Sequence, residues 1–274
     1  MTLSVLGLVL VAAVIHALWN TWLKASGDRL VALTTLAVGW AIVGLSSLPF
    51  VGTPRQEAWP YLLVSALVHT VYSLTLIRAY GLGNLSVTYP IARGTGPLVV
   101  AVVSTAYLGD SLGVMGFLAV ALIVIGVGWL GVPRSNQGYA GLLFSLLTGA
   151  FIGTYTLLDG FGGRLGESPH AYVAWLLLLT ALPIFVVSGS VHGARFASLV
   201  RPIWLKGVSA GVLSAAAYWV VVWAMSVAPM GLVAAVRESS VVFAALFGSM
   251  LLRERVRWAA VVVVFGEIVF TGLA

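Results

Sequence analysis

The chain contains no cysteine. Disulfides, thiolate metal sites and cysteine nucleophiles are therefore excluded. Charge is nearly as scarce: of 274 residues, 8 are acidic and 14 are Lys or Arg, together 8%. A soluble domain carries about 25% charged and about 45–50% apolar residues, whereas 61% of this chain is hydrophobic. So few charges could not cover a water-soluble fold of this length, but lipid solvates an uncharged outer face. The net charge of +6 is not gathered into a basic stripe. Lys24 and Arg29 flank one gap between apolar runs, and Arg253, Arg255 and Arg257 flank another. They read as topology determinants, and no nucleic-acid partner is expected. No charged segment precedes the first apolar run, which is expected to stay as a spanning helix rather than be cleaved.

Long apolar runs are what the chain does have. A helix crossing the hydrocarbon core needs about 20 mostly apolar residues. Ten stretches qualify: 3–25, 30–51, 59–80, 83–107, 112–131, 138–159, 170–190, 203–227, 230–252 and 256–274. The expected fold class is an all-α integral membrane protein with ten transmembrane helices. Barrel strands would alternate apolar and polar residues over about ten positions, and these runs do not. Gly27-Asp28, Gly52-Thr53-Pro54, Gly109-Asp110, Pro133-Arg134 and Pro229-Met230-Gly231 punctuate them. Loops are short, so any function must sit inside the bundle or at its mouths. Ten Trp and 9 Tyr suit aromatic belts at the interfaces. Lys and Arg favour the odd-numbered loops, which puts both termini outside the cytoplasm.

The two halves share a pattern. An offset of 144, by subtraction, carries Ser65 onto Ser209, Arg93 onto Arg237, Leu108 onto Leu252 and Asp110 onto Glu254. The first helices align more loosely, Ala17 and Thr21 over Ala150 and Thr154. The predicted domains are 1–135 and 136–274, each a five-helix repeat. Five is odd, so the second copy enters the bilayer inverted. Inverted repeats are the plan of many secondary transporters, which bind solute near the midplane between the repeats.

Several motifs resemble the drug/metabolite transporter superfamily, in its EamA-type branch of ten-helix bacterial carriers. They are Ala17-Leu18-Trp19-Asn20 with Lys24, Ala79-Tyr80, and Ser86-Val87-Thr88-Tyr89-Pro90-Ile91-Ala92-Arg93-Gly94. The helix ends Leu108-Gly109-Asp110 and Leu251-Leu252-Arg253-Glu254-Arg255-Val256 are also similar. Asp110 stands where the family commonly has Glu, which keeps the charge. The resemblance implies a multi-pass protein of the bacterial inner (cytoplasmic) membrane. It also implies export or exchange of amino acids or related amphiphilic metabolites by alternating access. It further implies a central cavity lined by spans one, three, four, six, eight and nine.

Polar residues inside spans are the candidate site, because a charge at mid-bilayer is costly and usually faces a cavity or a partner. Arg93 and Arg237 either meet a substrate carboxylate or phosphate through the planar guanidinium fork, or pair with Glu238 or Glu267 and hold helices together. Tyr89 lies one turn before Arg93. Pro90 and Pro97 are expected to break or kink span four, baring carbonyls beside Arg93. His16 and Asn20 share a face of span one with Trp19 beside them; span three offers His69 and Tyr72, span six Thr148, Tyr155 and Asp159, and span eight Ser214, Tyr218, Trp219 and Trp223. Such an aromatic-lined cavity suits a small amphiphilic solute. His16 or Glu267 is a candidate for a coupling proton, or else a glue residue between helices. No zinc-type His-Glu-x-x-His run, nucleotide-binding loop or nucleophile elbow is present, so an enzyme is not expected, and neither is a metal or cofactor. A pore-like facilitator or a structural membrane subunit is the competing class. The partners expected are the lipid bilayer and a small-molecule substrate. The oligomeric state is left open, a monomer included.

Overall fold

The computed structural model of the chain describes residues 2–107, 118, 121, 122, 125, 126, 129, 138–165, 168–228, 233 and 236–254. Among them there is no strand. The long helices are α1 (Leu3–Ala25), α2 (Arg29–Val51), α3 (Trp59–Leu82), α4 (Leu85–Tyr107), α5 (Tyr139–Leu165), α6 (Pro169–His192), α7 (Trp204–Val227) and α8 (Ser240–Leu252). The expected span at 112–131 lies mostly outside the described residues, and the one at 256–274, with Glu267, lies wholly outside. Asp110, Pro133, Arg134, Pro229, Arg255 and Arg257 lie outside them too.

Six of the described helices are long and apolar enough to cross a membrane: α1, α2, α3, α5, α6 and α7. A 23-residue helix rises about 35 Å, more than a hydrocarbon core of about 30 Å. Their outer faces carry exposed Leu45, Phe50, Leu182 and Val186, which water would penalise and lipid accepts. The chain forms helices here because, in lipid, every backbone amide and carbonyl must be satisfied within its own segment.

Local signals set the helix ends. The Thr2 hydroxyl accepts from the Val5 amide, Asp28 Oδ1 from the Leu30 and Val31 amides, and the Ser168 hydroxyl from the Ala171 amide. These side chains satisfy amides that have no partner in a first helical turn. Gly52 (φ 68°) and Gly193 (φ 51°) end α2 and α6 in a backbone region that glycine adopts freely. Outside the spans, partial burial would raise the Asp28 carboxyl, but the Val31 amide, His192 and the Leu30 amide together hold it below its usual range.

The helices pack mainly across the midpoint of the sequence. α3 and α4 lie on α5, α2 on α6 and α7, and α1 on α7 and α8. Glycines allow the closest approaches. A Cβ at Gly211 would lie 2.2 Å from the Leu36 carbonyl oxygen, and one at Gly153 would lie 2.7 Å from that of Gly96. Gly207 and Gly211 on α7, and Gly149 and Gly153 on α5, are four apart, the spacing that lets spanning helices touch backbone to backbone.

A cross-half cap joins the ends of α4 and α8. The Glu254 carboxylate accepts from the amides of Leu85 at 3.0 Å and Ser86 at 2.8 Å. A negative group at a helix N-terminus also meets the favourable end of the helix dipole. Glu254→Ala is expected to lower stability by about 1–2 kcal/mol, read as a lower midpoint of thermal unfolding in detergent micelles.

Three boundaries differ from expectation. α4 runs without a break through Pro90 and Pro97; each proline withholds one amide, but the flanking helical bonds carry the helix past it. A turn falls instead at Ser239, between the helical residues 236–238 and α8, which begins at Ser240; the expected start of that span at 230 lies outside the described residues. The Ser239 amide bonds the Val236 carbonyl at 3.2 Å, and the Val242 amide bonds the Ser239 carbonyl at 3.0 Å, the tighter i→i+3 spacing. α5 continues to Leu165, so Asp159 is not a helix end but an interior residue.

Candidate functional site

Asp159 is 4% exposed and sits among donors from three other helices. Its Oδ1 accepts from the Ser65 hydroxyl of α3 at 2.5 Å and the Tyr172 hydroxyl of α6 at 2.9 Å. Its Oδ2 contacts His69 Nε2 of α3 at 3.0 Å and accepts a short bond from the Tyr218 hydroxyl of α7. An ionised carboxylate offers about four lone-pair sites, and four partners fill them. The His69 ring stacks on Tyr155, with centroids 3.9 Å apart and planes at 22°. Tyr72 and Tyr218 meet it edge-on.

His69 faces a cavity between α1, α2, α3, α5, α6 and α7. Its wall includes His16, Trp19, Trp40, Tyr72, Tyr155, Thr180, Ser214 and Tyr218. Trp19 Nε1 and Thr180 Oγ1 are buried and have no hydrogen-bond partner among the described residues. Buried polar atoms nearly always have partners, so these two are open positions for a bound molecule or water. His16 Nδ1 lies 3.2 Å from the Ala12 carbonyl. That contact puts a proton on Nδ1 and leaves Nε2 of the neutral ring as an acceptor.

A second chamber lies against the far side of Asp159. Thr156, Asp159, Arg164, Pro169, Tyr218, Ser226 and Arg237 line it. Tyr218 lines both chambers. Asp28 at the start of α2 bonds His192 at the end of α6 at 2.8 Å. Pro169, at the start of α6, therefore marks the opposite end of the bundle, and the second chamber is a vestibule at that end. On the side of Asp28, the Lys24 ammonium holds the carbonyls of Tyr80 at 2.6 Å and Gly83 at 2.5 Å, fastening α1 to the end of α3.

The arginines form a third cluster. Arg93, 4% exposed, grips Glu238 with two parallel bonds, Nε to Oε2 at 2.7 Å and Nη2 to Oε1 at 2.5 Å. Arg237 Nη2 reaches the same Oε1 at 3.3 Å, and its Nε has no partner among the described residues. Among the described residues two guanidiniums share one carboxylate, an excess of one positive charge, and their field falls on the cavity-wall residues His16 and Tyr72.

Of the residues singled out in the sequence, the structure brings His16, Trp19, His69, Tyr72, Tyr155 and Tyr218 to one cavity. The others stand elsewhere. Asn20 accepts from the Tyr80 hydroxyl at 2.6 Å, and the Tyr89 hydroxyl donates to Ser240 at 3.0 Å. Trp223 packs against the apolar cluster around Val9 and Val221, away from the cavity. Arg93 faces Glu238, and Arg237 lines the vestibule. Spans two and seven contribute wall, in place of the expected four and nine, because α2 and α6 turn Trp40 and Thr180 inward while Arg93 is taken up by its ion pair. Thr180 and Trp40 were missed. A Trp and a Thr near the middle of an apolar run, far from either interface, were the available signal. Among the described residues no group of three His, Asp or Glu could hold a metal ion.

Residues 3–132 match the EamA-like transporter family. The likeness covers 130 of the 274 residues, all in the first half of the chain. That family belongs to the drug/metabolite transporter superfamily and consists of transporters, not enzymes. Together with the six helices of membrane-crossing character, three of them inside the matched region, this match points to a multi-pass membrane transporter. A crystal structure 16% identical in sequence superposes with a TM-score of 0.60, covering 98% of this chain and 96% of the other, a likeness of fold alone. No curated protein matches the sequence.

Proposed function

We propose that the EamA-like chain is a secondary carrier that exports or exchanges a small amphiphilic organic solute, such as an amino acid or a related metabolite, by alternating access. The observation that carries this reading is the aromatic cavity with two unpartnered donors, Trp19 Nε1 and Thr180 Oγ1, at its wall. The aromatic rings would take the solute's apolar body, and the open donors its polar end. The surplus positive charge of Arg93 and Arg237 over Glu238 favours a solute with a carboxylate.

The proposed plan is ten helices in two inverted repeats, residues 1–135 and 136–274, in a bacterial inner membrane. Paired contacts support it. Matching α1 with α5, α2 with α6, α3 with α7 and α4 with α8, the α3–α5 contact has α7–α1 as its mirror. In the same way α4–α5 has α8–α1, and α2–α7 has α6–α3. The family match also ends at 132, close to the proposed boundary.

The substrate is found by comparing metabolites released by cells with and without the gene, then confirmed by counterflow in proteoliposomes. Saturable counterflow supports the carrier. Conductance across a planar bilayer that never saturates would instead identify a pore. Trp19→Phe keeps the ring and removes the open N–H; it is expected to weaken the apparent affinity for the identified solute about tenfold, the value of one hydrogen bond, with expression unchanged. An unaltered affinity would remove Trp19 from the site.

A further inference from the structure

The vestibule carries positive charge that its own wall does not balance. Arg237 lines it and is 4% exposed. Its Nη2 makes one long contact, 3.3 Å to Glu238 Oε1, an oxygen that Arg93 Nη2 already holds at 2.5 Å. Arg237 Nε and Nη1 have no hydrogen-bond partner among the described residues. Arg164, exposed in the last turn of α5, lines the same chamber, and its guanidinium is likewise unbonded among them.

We propose that the vestibule is a binding site for a small anion, held by Arg237 and Arg164. The site is separate from the aromatic cavity and does not depend on the carrier reading.

The side chains of the wall select the ligand by what they have left to give. Thr156 spends its hydroxyl proton on the Ile152 carbonyl at 2.7 Å, Ser226 on the Trp223 carbonyl at 2.7 Å, and Tyr218 on Asp159. Four partners fill the acceptor sites of ionised Asp159. An ammonium group entering the vestibule therefore finds no free lone pair on that carboxylate. The unspent side-chain groups are the two guanidiniums, which only donate and stay charged.

The charge balance has the same sign. Arg93, Arg164 and Arg237 face Glu238 and Asp159, so one positive charge is left over among the described residues. A buried charge without a partner is costly, and an anion beside Arg237 supplies the partner through charge-assisted bonds. Val221, Val222 and Met225 form an apolar flank, and low-dielectric walls strengthen the pull of a cleft of one charge sign on its counter-ion. The vestibule is the smaller of the two chambers, which suits a group of a few atoms: a halide, or the carboxylate end of a small acid.

The test reads the unfolding midpoint of the purified full chain in detergent. Chloride or acetate replaces the anion of a bulky sulfonate buffer at constant ionic strength. The midpoint is expected to rise with the logarithm of the anion concentration once that exceeds the dissociation constant. Arg237→Gln should move the onset of the rise about tenfold higher or more, the worth of a hydrogen bond to a charged group. Arg93 still holds Glu238 in that variant, so the ion pair survives. Arg164→Gln, at the exposed mouth, should move the onset about threefold. Trp19→Phe touches the cavity alone and should not move it. A rise with chloride, with or without acetate, assigns an inorganic anion; a rise with acetate alone assigns the carboxylate of an organic solute. Either result supports the site. No rise with either anion, or a rise that Arg237→Gln leaves in place, overturns it. Should Arg237→Gln fail to fold, bromide soaked into crystals of the natural protein decides: an anomalous-scattering peak beside Arg237 supports the site, and its absence overturns it. A failed carrier shows separately, as absent counterflow.

Discussion

Arg93→Ala is expected to abolish transport and to lower stability by about 3–5 kcal/mol, the cost of stranding one partner of a buried ion pair. Glu238 is almost fully buried and takes two parallel bonds from Arg93, leaving only the longer Arg237 contact when that guanidinium is removed. The single variant alone would confound folding with function. A double variant, Arg93→Met with Glu238→Leu, separates them. Replacing both charges of a buried pair by apolar groups of similar volume is often neutral or stabilising, so the unfolding midpoint in detergent should recover most of the loss, short of the natural protein's because Arg237 gives up its Glu238 contact. Counterflow should stay absent, because the Arg93–Glu238 pair that ties α4 to the residues before α8 is gone, while the surplus charge stays on Arg237. A double variant that is stable and transports normally would reduce the pair to a packing device and leave the cavity's aromatic wall as the whole site.

Gly211→Val is expected to be the most disruptive apolar substitution in the bundle. The first added carbon would lie 2.2 Å from the Leu36 carbonyl oxygen and 3.0 Å from the Gly39 Cα. Those atoms are backbone, so no rotamer change relieves the clash, and α2 must move away from α7. Overpacking of this kind costs about 1–3 kcal/mol, sometimes more; a backbone clash between two spanning helices belongs at the upper end. The same shift would carry Trp40 away from Ser214, which now accepts its Nε1–H at 2.6 Å across the cavity wall. The measurement is the yield of monodisperse protein from the membrane together with its unfolding midpoint. Yield and midpoint equal to those of the natural protein would mean that the helices do not approach this closely. Gly7, with open space where its Cβ would fall, is the matched control: Gly7→Val should cost little.

The membrane-spanning helices could be read locally. Hydropathy over about 20 residues is a property of a segment alone, and a lipid solvent forces that segment to satisfy its own backbone. For that reason α1, α2, α3 and α7 fall within two residues of their expected limits. α5 overran its expected end because the run was closed at an acid. Asp159, a candidate site residue on span six, was also placed at that span's end, whereas three hydroxyls and a histidine satisfy it inside the helix. The turn at Ser239 inside the ninth expected span went unread because nothing in an apolar run marks a change to i→i+3 bonding.

Hydrophobic length, helical composition and the scarcity of charge were enough to make this a polytopic membrane chain, since each depends on the nearest few residues. The motifs around Tyr89 and Arg93 were enough to suggest the family. Which polar groups meet was decided only by the tertiary structure. Arg93 finds Glu238 across 145 positions, Ser65 finds Asp159 across 94, and Trp40 finds Ser214 across 174. Those pairings depend on how each helix is rotated about its axis. In helices that are apolar all round, the side-chain pattern leaves that rotation undetermined until close packing at glycine and the demand of buried donors for acceptors select one.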